Sequence, residues 1–80
     1  MIRVLAFAGA RDAIGTAELD LALDGPTTAR ALLARLCAAH PRLAPYASSI
    51  RLAVNGTYAA WDDPVADGDE VAIIPPVAGG

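Results

Sequence analysis

Eighty residues with a formal net charge of -3 and a pI near 4.7 make room for one domain, and the absence of a basic patch argues against nucleic acid as a partner. The hydrophobic fraction of 55% is adequate for a small core, but much of it is alanine and the aromatic residues are Phe7, Tyr46, Tyr58 and Trp61, so the core must rest on Leu, Ile and Val. A lone cysteine, Cys37, rules out an internal disulfide framework and a paired-thiol metal site, no window approaches a membrane span, and no signal-peptide layout opens the chain, which together predict a cytoplasmic protein with no membrane contact.

Ile2 to Ala8 predicts a first strand, with Ile2, Val4 and Ala6 on one face and Arg3, Leu5 and Phe7 on the other. The first face is the better core candidate, which leaves Phe7 needing a cover or a partner. Gly9 to Gly15, small and polar around Arg11 and Asp12, reads as a hairpin loop. Ala17 to Leu23 then alternates, with Leu19, Leu21 and Leu23 opposite Glu18 and Asp20, as a half-buried antiparallel strand does. Asp24-Gly25-Pro26 is a turn.

Thr27 or Thr28 is placed to cap a helix whose apolar stripe is Ala29, Leu32, Leu33, Leu36 and Cys37. His40-Pro41 ends it, because proline disfavours helical geometry in the residue before it. Cys37 on that stripe reads as a packed thiol and His40 as a helix-end residue. Pro41 to Ser49 reads as an irregular crossover. Ile50 to Val54 is a third strand, Asn55-Gly56 a tight hairpin turn, and Thr57 to Ala60 the short return. Asp67-Gly68-Asp69 is another turn, and Glu70 to Ile74 is the final strand, with Val71 and Ile73 on one face and Ala72 and Ile74 on the other.

Strand, strand, helix, strand, short strand, strand is an α+β order, and its compact solution is a mixed sheet wrapped over one helix, a β-grasp or ubiquitin-like arrangement. The reading is a single domain over residues 1–80 with a flexible tail at about 75–80. In that tail Pro75 and Pro76 stop the strand, and Val77, Ala78, Gly79 and Gly80 follow as a thin end that a narrow channel can admit. No nucleophile–base–orienter set, phosphate loop or calcium-loop spacing is present. The carboxylates Asp62, Asp63, Asp67, Asp69 and Glu70 read as turn and surface groups, so the expected metal set is empty and the C-terminal carboxylate is the main chemical resource.

Asp67-Gly68-Asp69-Glu70-Val71-Ala72, two apolar residues, and then Pro75-Pro76-Val77-Ala78-Gly79-Gly80 resemble the C-terminal signature of the MoaD/ThiS family of ubiquitin-like sulfur carriers, in the form found in small subunits of molybdopterin synthase. Val54-Asn55 and Ile2-Arg3-Val4-Leu5-Ala6-Phe7 fit the same pattern, so the resemblance spans essentially the whole chain. It implies a parallel pairing of the first and last strands at the sheet centre. It also implies that a ubiquitin-activating-like adenylyltransferase uses ATP to adenylate Gly80, that a sulfur donor converts the adenylate to a thiocarboxylate, and that no cofactor is resident. The tail, Pro75 to Gly79, then inserts into a large catalytic subunit, where the sulfur goes to cyclic pyranopterin monophosphate in molybdenum cofactor biosynthesis. The resemblance implies a heterotetramer of two small and two large subunits. On this reading the chain is a non-catalytic subunit, and Phe7, Tyr58 and Ile74 form an apolar patch that docks the partner. Three alternatives stay open: a sulfur carrier for thiamine or another sulfur-containing metabolite, a ubiquitin-like protein modifier, and an interaction module whose tail is inert.

Overall fold

The computed structural model describes residues 1–74. Its elements are β1 (Ile2–Ala6), α1 (Ala8–Ile14), β2 (Glu18–Leu21), β3 (Thr27–Thr28), α2 (Ala29–Ala39), a 3₁₀ segment (Pro41–Tyr46), β4 (Arg51–Val54), β5 (Thr57–Tyr58), β6 (Pro64–Val65) and β7 (Glu70–Ile74). Five strands form one sheet in the order β2-β1-β7-β4-β5, and β3 and β6 form a separate two-stranded ribbon. The pair β1 and β7 is parallel, while β1–β2, β4–β7 and β4–β5 are antiparallel. The mixed β-grasp sheet is therefore as the element order predicts, and its parallel centre is as the resemblance implies.

The centre of the sheet holds the most apolar strands for a physical reason. β1 and β7 have neighbours on both edges, so their backbone groups are paired without water, and their inner faces can be dry. Ile2, Val4 and Ala6 of β1 and Val71 and Ile73 of β7 are buried on that inner face. α2 covers it with Ala29, Leu32, Leu33 and Leu36, and Leu43, Ile50, Leu52 and Val65 close the remaining sides of the core. Among the described residues no polar or charged residue is buried. Thr28 provides the helix cap: its Oγ1 accepts from the Ala31 N–H at 3.2 Å, satisfying one of the donors that a helix start leaves open. At the other end His40 is the C-cap, and its N–H donates to the Leu36 carbonyl at 2.8 Å.

Three expectations change. The first strand ends at Ala6, and the stretch read as a hairpin loop is the helix α1. Phe7 keeps an extended backbone (φ -129°, ψ 153°), the chain then turns sharply at Ala8 (φ 47°), and Gly15 stops the helix in the left-handed region at φ 92°. Glycine suits that stop because it has no Cβ to clash there. α1 buries Ala10, with Ala13 and Ile14 packed at the core margin, so a short helix of modest propensity is held by tertiary contact. Next, the crossover after α2 is partly regular: Pro41 opens the 3₁₀ segment, where its missing N–H costs nothing, and Leu43 is fully buried from it. Finally, Thr27 and Thr28 pair with Val65 and Pro64, and the Ala29 and Arg30 N–H groups donate to the Asp63 and Trp61 carbonyls at 3.0 Å each. That ribbon ties the start of α2 to the loop after β5.

Candidate functional site

Pro75, Pro76, Val77, Ala78, Gly79 and Gly80, the expected reactive tail, lie outside the described residues. They are joined to the fold at Ile74, the last residue of β7, so what the sheet presents beside Ile74 is the described part of the site.

The face of the sheet turned away from α2 is built in cross-strand rows, because side chains alternate between faces and registered partners stand side by side. One row holds Asp20, Arg3 and Glu70 on β2, β1 and β7. Next comes a mostly apolar row, Glu18, Leu5, Ala72, Ala53 and Tyr58, running from β2 to β5. Then Ile74 of β7 stands opposite Arg51 of β4. Continuing the β1–β7 register one residue past Ala6–Ile73 sets Phe7 on the far side of Ile74. The outer face is thus charged at the end where β1 and β7 begin and, Arg51 aside, apolar at the end where β7 runs into the tail.

Each residue expected in the patch is on this face. Phe7 is 51% exposed and Tyr58 63%, large values for aromatic side chains in a molecule with a dry inner core, while Ile74 is half-buried between its neighbours. By that register Phe7 is the cross-strand neighbour of Ile74. Tyr58 lies across β4, and Ala53 and Ala72 fill the gap with small side chains that raise no barrier. Leu5 and Ala72 also belong to the patch, and the alternation of β1 and β7 already put them on the faces of Phe7 and Ile74. Arg51 was not foreseen. It lies at the same end of the face, with its guanidinium 5.9 Å from the centroid of the Tyr58 ring, within reach of a cation–π attraction.

The carboxylates toward the C-terminus do turn and surface work. Asp63 accepts from the Ala60 N–H at 2.8 Å, Asp62 faces Arg30 at 3.5 Å on the exposed surface, Asp67 pairs with the Met1 amine, and Asp69 accepts from the Ala66 N–H at 2.9 Å and from Asn55 Nδ2 at 3.0 Å. The hydrogen bond from Ala66, then that from Asn55, hold the Asp69 carboxyl below the usual carboxylate range. No cluster of His, Cys, Asp or Glu able to hold a metal is present among the described residues. Cys37 is half-buried and lines a shallow groove of about 370 Å³ with Leu33, Ala47 and Trp61. Burial pushes its thiol up, the direction that disfavours the reactive thiolate. No helix among the described residues is long and apolar enough to cross a membrane.

Residues 4–80 match the ThiS family. The chain is 44% identical over 82 residues to the molybdopterin synthase sulfur carrier subunit of Escherichia coli (strain K12), covering 100% of each chain. It is 42% identical over 81 residues to the molybdopterin synthase sulfur carrier subunit of Chlamydomonas reinhardtii, covering 99% of this chain and 98% of that one. The crystal structure of SAMP1 from Haloferax volcanii has a TM-score of 0.84 and 31% identity, covering 99% of this chain and 98% of the other. With a family match from the first strand to the last residue, the chain belongs to the ThiS family.

Proposed function

We propose that this chain is the sulfur carrier of a molybdopterin synthase, a single domain whose tail, about residues 75–80, presents Gly80 as the reactive group. The observation that carries the proposal is the full-length likeness to proteins of that name, which reaches 44% identity. The chemistry fits what the sequence offers. A carboxylate is a poor electrophile, so the Gly80 carboxylate first attacks the α-phosphorus of ATP in an adenylyltransferase of the ubiquitin-activating kind, and pyrophosphate leaves. A sulfur donor then forms a C–S bond to the acyl carbon, and AMP leaves with the oxygen that linked them. The thiocarboxylate sulfur is the better nucleophile toward cyclic pyranopterin monophosphate, and cleavage of the C–S bond by water returns the carboxylate. Gly79 and Gly80 carry no side chain to obstruct two successive active sites.

The partner patch of Phe7, Tyr58 and Ile74 then has a purpose. An exposed apolar area next to the tail is the kind of surface that marks a protein contact, and docking there places the tail at the mouth of the large subunit's active site. Two carriers and two large subunits make the assembly, which works in the cytoplasm. The chain performs no catalysis by itself and holds no resident cofactor.

One observation favours a second reading. SAMP1, with which the fold agrees over nearly its whole length, is named small archaeal modifier protein 1, so conjugation of Gly80 to amines of other proteins is a real competitor. The deciding experiment starts from thiocarboxylated protein mixed with the large subunit and cyclic pyranopterin monophosphate. The proposal expects loss of the sulfur mass and the appearance of molybdopterin. Retention of the sulfur there, with discharge into a thiamine precursor or formation of conjugates in cell extract, points to the other readings.

A further inference from the structure

The two outward arginines of the central sheet are treated differently by the fold. Arg3 stands in register between Asp20 and Glu70, so two carboxylates flank its charge in the same row. Arg51 stands opposite Ile74, in the apolar half of the face, and makes no ion pair among the described residues. What it has is the ring of Tyr58 under its guanidinium. At 5.9 Å from the ring centroid, the guanidinium is within reach of a cation–π attraction that favours this placement on the face. The result is an exposed cation at the rim of an apolar patch, with no carboxylate partner among the described residues.

A guanidinium cannot be covered cheaply. Closing a partner over this half of the face strips water from Arg51, and without a new acceptor the loss is not recovered. The π face of Tyr58 offsets only part of it. A carboxylate on the incoming surface restores it with charge-assisted hydrogen bonds.

We propose that Arg51, beside Tyr58, is a specificity residue of the docking face, and that the large subunit meets it with an Asp or Glu at the edge of its own apolar surface. The inference rests on the reading that this face docks the large subunit. It adds the charge of the partner and the residue that reads it.

The test measures binding of the full-length chain to the purified large subunit by surface plasmon resonance, at low and at physiological salt, for wild type, Arg51→Gln, Arg51→Lys, Arg51→Glu and Phe7→Ala. Arg51 and Phe7 are exposed, and thermal melts of each variant confirm that the fold is kept. We expect Arg51→Gln to weaken binding about tenfold or more and to flatten the salt dependence. Arg51→Lys keeps part of the affinity, and Arg51→Glu is the weakest and the slowest to associate. If Phe7→Ala weakens binding while Arg51→Gln stays within about twofold of wild type with its salt dependence intact, the inference is overturned and the docking reading stands. If neither variant weakens binding, the docking reading itself falls. Slower loading by the activating enzyme with unchanged binding to the large subunit also overturns the assignment, because it gives Arg51 to a different partner.

Discussion

Asn55 pins one turn of the molecule to another through Asp69. Its Nδ2 donates to Asp69 Oδ1 at 3.0 Å, its Oδ1 accepts from the Glu70 N–H at 3.0 Å, and its own N–H donates to the Glu70 carbonyl at 2.8 Å. The β4–β5 turn and the turn before β7 are thereby joined at one end of the sheet. Asn55 also sits at φ 51°, in the left-handed region that an ordinary side chain avoids and asparagine tolerates.

Two substitutions separate those roles. Asn55→Gly keeps the turn conformation and loses the side-chain bonds, at a cost of about 1 kcal/mol. Asn55→Ala loses the bonds and strains the turn, and should cost about 2 kcal/mol or somewhat more. Urea unfolding distinguishes them, and equal losses for the two variants would mean that the backbone conformation contributes nothing.

Asp69 gives the fold a pH dependence of known sign. Its carboxyl is held below the ordinary range by the Ala66 N–H and by Asn55, so the folded state favours the charged form. The stabilisation is fully present above the unfolded value of about 3.9 and is lost as pH falls through the lower folded value. Asp69→Asn should therefore be less stable than wild type at neutral pH, with the gap closing in acid. Melting temperatures measured from neutral pH down to about pH 3 provide the check, and a gap of constant size contradicts the assignment.

Thr28 caps the helix that covers the sheet. Thr28→Ala removes the acceptor for the Ala31 N–H and should cost about 1 kcal/mol, while Thr28→Ser should keep most of it. In a domain of this size a loss of that order lowers the melting temperature by about 4 to 8 °C.

Phe7 should behave in the opposite way to a core residue. Half of its surface is exposed, so Phe7→Ala should change stability by no more than about 0.5 kcal/mol. The same change should weaken binding to the large subunit by more than about 1 kcal/mol. Leu36→Ala, in the dry core, should instead cost about 2 to 5 kcal/mol of stability. Calorimetry of folding and of binding on the same two variants separates surface from core.

Much of this was legible from local pattern. The stripe from Ala29 to Leu36 fixed the helix, and Asn55-Gly56 fixed the hairpin, with Gly56 at φ 85°. Val71 and Ile73 against Ala72 and Ile74 gave the two faces of the last strand. α1 was not legible, because Ala8 to Ile14 combines a glycine with a polar Arg-Asp pair and buries too little to show a stripe. The β3–β6 ribbon has two residues per strand, too short for any alternation to register. The Asn55–Asp69 link depends on which strands pair, which no local spacing carries, whereas the placing of Arg51 near Tyr58 follows from the register of the Asn55-Gly56 hairpin. The patch lay between these cases: Phe7 and Ile74 followed from alternation, while their adjacency needed the parallel pairing of β1 with β7.

The central claim concerns one functional group, and intact mass measures it most directly. The full-length chain is incubated with its activating enzyme, ATP and a sulfide source, alongside a variant lacking Gly80. The account predicts that the wild type gains the mass of one sulfur replacing one oxygen and that fragmentation places it on Gly80, while the shortened chain gains nothing and melts at the same temperature. A wild type that gains no sulfur under conditions in which the enzyme adenylates it, or a gain that maps to Cys37 instead, would contradict the account.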